Sequence, residues 1–355
     1  MLKLLRSLVT RQPDPGAHAP APAPRAAPAT SVAAAGVADF DIVAHLVDAN
    51  GLPVLDWDAV HTWTLGIADV AAQAPAWSAC ETAWLQHLGA ALGPDFRLIR
   101  HGPVVLLSSL DAPLAAATIG FVDKTLQRIQ RLLDGLARAV QPHEQEIFIV
   151  FDDDETYYRY LAQYYPDAGE FAGSGGVFIN AGCAHFATVK ADLRAIEPVI
   201  AHELTHSCLS HLPIPAWLNE GLAVNTEQRL CPPPPNTFGS SASPQQMHAR
   251  HQAFWGPQEI QQFWSGKSFL RADEGNALSY DLARILVAQL ASDDWARLRR
   301  FVLAADRADG GNAAAHEHLG VPLADLAAAL LEQAPDARWT PDPQHWHGEP
   351  ERGAF

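Results

Sequence analysis

The stretch His202-Glu203-Leu204-Thr205-His206, followed by Pro215-Ala216-Trp217-Leu218-Asn219-Glu220-Gly221, constrains this chain more than any other part of it. His202 and His206 are four residues apart. On an α-helix that is about 400° of rotation, so the two imidazoles stand one turn apart on the same face. Two rings so placed can bind one tetrahedral zinc. Glu203 is swung about 100° round the axis, within reach of a metal-bound water and outside the ligand set.

The flanking residues favour a helix. Ala195 to Ala201 is apolar apart from Glu197, and its single proline, Pro198, is tolerated in a first turn. Ile196, Val199, Ile200, Leu204 and Cys208 or Leu209 would form the buried stripe. Pro213 and Pro215 end it. Catalytic zinc usually takes three protein ligands and a water. His211 lies about 140° round the same helix from His206 and points away. Glu220 falls on a second expected helix, Ala216 to about Gln228, and a helical hairpin can carry it opposite the two histidines. Glu220 is the expected third ligand. The pattern with Gly three and His six residues after the second histidine is absent, because Leu209 and Leu212 occupy those positions.

With these residues in place, the chain resembles the gluzincin zinc metallopeptidases, the peptidase MA-like group related to thermolysin. The match is close over some twenty residues, from His202 to Ala223, and loose from about Asp95 to Ala334. The resemblance implies an α+β fold with a small mixed sheet, the HExxH helix beneath it and a helical lobe after it. It implies one Zn2+ per chain held by His202, His206 and Glu220. It also implies hydrolysis of peptide bonds, with Glu203 taking a proton from the attacking water and passing it to the leaving amine. Two departures stand out. The gap from His206 to Glu220 is shorter than in thermolysin. Val224 stands where an Asp normally supports a zinc histidine, so Asn219, Asn225 or a backbone carbonyl must orient the ring. A second oxyanion donor is common in such sites. Tyr280, off the main apolar stripe of its helix, is the candidate; the alternative for it is packing through Ala283 and Val287.

Composition bounds the rest. The chain has 355 residues and is 48% hydrophobic, enough for one large or two ordinary domains. Its formal net charge of −16 argues against nucleic acid and anionic membranes as partners. Cys80, Cys183, Cys208 and Cys231 are scattered without a CxxC pair, so reduced thiols are expected. The Glu-Gly-Cys-Leu segment of the HExxH deformylases is missing.

In chain order, residues 1–36 read as an Ala/Pro-rich disordered segment. Its basic opening is too short for a signal peptide and no stretch is long enough to span a membrane, so a cytoplasmic protein is expected. Residues 37–94 read as mostly helical, with Trp57, Trp63, Trp77 and Trp84 as core anchors rather than a ligand box. Residues 95–340 read as the metallopeptidase-like domain. It opens with a hairpin around His101-Gly102-Pro103. A helix through Ile119, Val122, Leu126 and Ile129 follows, then a strand over Glu146–Phe151. Asp152-Asp153-Asp154 lacks calcium-loop spacing and reads as a helix cap. Gly173-Ser174-Gly175-Gly176 leads into Val177-Phe178-Ile179-Asn180. In gluzincins a strand here pairs with the substrate backbone, so Gly176, Val177 and Phe178 are candidate substrate contacts, the glycines allowing close approach. The competing reading is an ordinary turn before a sheet strand. The Ser/Pro/Gly-rich stretch after Cys231 reads as a mobile loop able to cover a cleft. Residues 341–355 read as a tail, where a second metal on His345 and His347 is the lesser reading. The expected partner is a peptide or protein substrate. The rival reading is a non-catalytic or latent zinc protein that binds such a partner without cutting it.

Overall fold

The computed structural model describes residues 27–164, 176–190, 193–232 and 243–346. The first 26 residues, Gly173-Ser174-Gly175, Pro233 to Gly239 with the three residues after it, and His347 onward lie outside the described residues. The fold is α+β.

The chain opens with two short antiparallel pairs, β1 (Ser31–Val32) with β2 (Phe40–Asp41) and β3 (Leu46–Ala49) with β4 (Leu52–Leu55). Asn50 and Gly51, between β3 and β4, both have positive φ. A two-residue hairpin matching the right-handed strand twist requires that, and Asn-Gly is the pair that adopts it most readily. The region 37–94 is α-helical from Trp57 on, in α1 (Trp57–Leu65) and α2 (Val70–Leu92), with only a short 3-10 helical turn before that, at Val43–His45. Its tryptophans are core, as expected: Trp57 and Trp84 are buried, and Trp63 and Trp77 pack against the same cluster.

A mixed sheet follows: β5 (Arg97–His101), β6 (Val104–Ser108), β7 (Glu146–Phe151), β8 (Gly176–Ala181) and β9 (Cys183–Val189), in the order β5-β6-β7-β9-β8. β6, β7 and β9 run parallel, and the two outer strands run antiparallel to their neighbours. Helix α3 (Ala112–Leu132) connects β6 to β7, and α4 (Asp154–Leu161) follows β7. Asp153 caps α4 by accepting the Thr156 N–H, which is the role expected for the acidic run.

Both faces of the sheet are covered, which is why β6 and β7 read as unbroken apolar runs. Val104, Leu106, Phe148 and Val150 face one core with α3 and the helices that follow the sheet. Val105, Leu107, Ile147, Ile149 and Phe151 face a second core shared with α1, α2 and α4.

The helical half comprises α5 (Leu193–Leu209), α6 (Ala216–Leu230), α7 (Pro244–Phe254), α8 (Pro257–Ser265), α9 (Glu274–Asp293), α10 (Trp295–Ala304) and a last helix over Leu323–Leu330. Trp217 is fully buried, stacks near Phe263, Trp264 and Phe301, and donates its ring N–H to the Gly310 carbonyl. The chain stays attached up to Trp346: Gln261 Oε1 accepts from the Asp342 N–H and the Trp346 ring N–H. The four cysteines are free thiols. Among the described residues, no helix is long and apolar enough to cross a membrane.

Two titratable groups lie where the N-terminal region meets the sheet. His185 on β9 is buried, with Nδ1 on the Cys183 carbonyl (2.9 Å) and Nε2 on the Tyr160 hydroxyl (2.7 Å). Burial lowers its pKa to about 4. Glu81 on α2 accepts from the Trp77 ring N–H (2.8 Å) and contacts the Cys183 thiol. Burial pushes its pKa up to about 7. Their contributions to stability have opposite signs. His185 contributes stability that is present above its unfolded pKa of about 6.5 and is lost as pH falls towards 4. Glu81 contributes stability that is present below its unfolded pKa and is lost as pH rises through 7. Stability changes by about 3 kcal/mol between the two extremes of each group. Between pH 4.5 and 6.5 they offset one another. Chemical denaturation across this range should therefore show Glu81→Gln losing stability on acidification more steeply than wild type. His185→Gln should lose it more steeply on alkalinisation. Parallel pH profiles for all three proteins would contradict this assignment.

Candidate metal centre

Helices α5 and α6 form a hairpin joined by residues 210–215. His202 and His206 project from α5 at the same face, with ring centroids 4.8 Å apart. Glu220, 2% exposed, projects from α6 between them. Its Oε2 lies 3.1 Å from His202 Nε2 and 3.5 Å from His206 Nε2. One ligand atom from each of the three residues falls within 4.8 Å of the others, and no other such group occurs among the described residues. His211 is exposed and stands outside the cluster.

These residues fit a zinc ion. Two imidazole nitrogens and a carboxylate oxygen are its usual donors, and ligands at zinc distances stand about 3.3 Å apart in a tetrahedron. The electrostatics fit as well. Burial alone would raise the Glu220 pKa, but the two histidines overcome it and hold the carboxyl at about 2, so the group is anionic. Burial would lower the His202 pKa, yet Glu220 and Glu227 hold it well above its usual value. A buried carboxylate facing two imidazoles is the charge arrangement a dication requires.

The structure supplies the support that Val224 cannot give. His202 Nδ1 lies 3.1 Å from Glu227 Oε2. Glu227 is seven residues after Glu220, two helical turns along the same face of α6. A carboxylate so placed takes the Nδ1 proton in a hydrogen bond, which leaves Nε2, the atom facing Glu220, for a metal. Asn225 is occupied elsewhere, donating to the carbonyls of Gly221 and Arg284. Asn219 Oδ1 and His206 Nδ1 are both buried with no hydrogen-bond partner. Glu227 was legible in principle: the i+7 spacing marks it once α6 is laid against α5.

Tyr280 reaches the site because α6 and α9 cross closely. A Cβ on Gly221 would sit 2.5 Å from the Ala283 carbonyl and 2.6 Å from Val287, so only glycine permits the approach. Tyr280 is one turn before Ala283, and its ring centroid is 6.4 Å from that of His202. Its other side packs edge-on against Phe269. Burial, with Glu220 and Glu203 nearby, raises its pKa, so the phenol keeps its proton. Leu278, Leu282, Ala283, Leu286 and Val287 are among the buried residues of α9. Ile285 on the same helix is only half-buried.

Glu203, half-buried beside the cluster, accepts a hydrogen bond from the Phe178 N–H (3.0 Å). Burial raises its pKa, and the two histidines counter this. The contact places the edge strand β8 directly against the site. The candidate strand residues divide by face. Val177 packs into the core shared with the N-terminal region. Gly176 and Phe178 lie on the α5 face. A Cβ on Gly176 would collide with the Phe186 ring and approach Val199 to 3.1 Å. Glycine at 176 thus serves packing of strand on helix, which differs from the close substrate approach expected of it.

The secondary metal readings find no support among the described residues. Asp152 faces Lys190 at 3.4 Å, and His345 Nδ1 is on Asp342 at 2.7 Å. His347 lies outside the described residues. Compared with protein-family models and with curated protein sequences, the chain matches none.

Glu227→Gln should keep the fold and weaken zinc retention by roughly 10- to 100-fold. Competition against a chromogenic chelator measures this. An unchanged zinc affinity would mean that Glu227 does not orient His202.

Proposed function

We propose that this chain is a zinc-dependent peptidase of the gluzincin type, acting on a peptide or protein substrate. The observation that carries the reading is the convergence of His202, His206 and Glu220, with Glu203 beside them and outside the ligand set. A mixed sheet whose edge strand borders that cluster, with α5 packed on it, supports the same reading.

When bound, zinc supplies Lewis-acid polarisation of a carbonyl oxygen and makes a water acidic near neutral pH. The rest falls to side chains. Glu203 accepts the proton of the attacking water at a carboxylate oxygen and delivers it to the leaving nitrogen. Tyr280 donates its phenolic O–H to the oxygen of the scissile carbonyl as negative charge develops there. Glu227 keeps His202 in one tautomer. The bulk of α9 and Phe269 excludes water from one side of the site.

Conversion of Glu203 to Gln separates this reading from that of a non-catalytic zinc protein. The substitution should leave zinc bound and lower cleavage of a peptide library at least 1000-fold, in line with loss of a positioned base and proton donor. Tyr280→Phe should lower kcat by about 10- to 100-fold with little change in KM. Zinc-loaded wild type that cleaves no peptide in the library would favour the binding-protein reading.

A further inference from the structure

Strand β8 is the last strand of its sheet, and among the described residues no other strand pairs with its outer side. Its register on β9 sets Phe178 opposite Phe186. The Phe178 N–H is given to Glu203 Oε2 at 3.0 Å. In an antiparallel pair, amides alternate between the partner strand and the open side every residue, so Asn180 shares the outward phase of Phe178. An extended peptide adding to this edge would use those outward amides. One N–H makes one strong hydrogen bond. The Phe178 N–H therefore cannot serve both Glu203 and a peptide carbonyl.

We propose that Glu203 caps the open edge of β8 in the free protein, and that an incoming extended peptide takes the Phe178 N–H and releases Glu203 towards the reaction centre. This rests on the peptidase reading for its purpose, but not for its geometry. Edge strands left open attract further strands, and a carboxylate laid on an outward amide blocks such pairing. The same residue is then both cap and base. Pairing of the substrate backbone, rather than a particular side chain, frees the base. Peptides too short to reach Phe178 leave it capped.

The test measures binding, separately from cleavage. The probe is a fluorescently labelled alanine-rich hexapeptide with a reduced, uncleavable bond at its centre. The protein is the full chain as purified. Glu203→Ala should bind the probe roughly tenfold more tightly than wild type, because the competitor for the amide is gone. Phe178→Pro should bind it at least roughly fivefold more weakly, since proline removes the N–H without breaking the ladder to β9. Phe178→Ala, which keeps the N–H, is the control for the lost ring. In amide exchange without peptide, the Phe178 amide should be protected in wild type and exchange faster in Glu203→Ala. If Glu203→Ala binds no more tightly, or if Phe178→Pro binds as well as Phe178→Ala, the proposal fails. A wild type that cleaves nothing but shows this affinity pattern would sink the peptidase reading and leave the cap. A wild type that cleaves, without the pattern, would do the reverse.

Discussion

The buried carboxylate of Glu220 is the constraint on which the helical half depends. Taking an ionised carboxylate out of water costs several kcal/mol, and only close positive or polarisable partners return it. Here the partners are His202 and His206, both from the neighbouring helix. The α5–α6 hairpin can therefore close in one register only. Slipping α6 by one residue would turn Glu220 about 100° away and leave a charge in the core. Gly221, the next residue, fixes the second contact of α6 by letting the α9 backbone come within van der Waals reach. Two adjacent residues thus set two helix crossings. Glu227, two turns on, ties the same face of α6 back to α5.

The sheet carries this hairpin on one side and the N-terminal region on the other. The two cores are separated by strand alternation alone: neighbouring residues of β6 and β7 go to opposite sides. The β8–β9 hairpin belongs to both. Through Gly176 and Phe178 it meets α5 and Glu203, and through Ile179, Cys183 and Ala187 it meets α2 and α4. At its tip Gly182, with positive φ, lies against Trp57, where a Cβ would not fit. The N-terminal region has no chemistry of its own in this account. It braces the strand that borders the His202, His206 and Glu220 cluster.

Much of this was legible in the sequence because the deciding signals are local. The i, i+4 histidines define one helical face, and proline-marked breaks define the hairpin. The apolar runs at 104–108 and 146–151 define central strands, and the acidic run before α4 defines a cap. What escaped was set by tertiary contact or by weak patterns. Strand β9 contains Ala184, His185 and Thr188, so it lacks the apolar signature of its neighbours. The β3–β4 hairpin was masked by the surrounding tryptophans, although Asn50-Gly51 signals it. Glu227 acquires its role only when α5 and α6 are side by side. Gly176 looked like a loop residue until Phe186 and Val199 were placed against it.

The central claim is that His202, His206 and Glu220 together hold one metal ion. Metal content of the purified chain, by mass spectrometry with Glu220→Ala alongside, tests it most directly. One zinc per wild-type chain is expected, and at most a small fraction of that in the variant, with helical content preserved. Wild-type protein that takes up no zinc, or a Glu220→Ala variant that retains it fully, would contradict it.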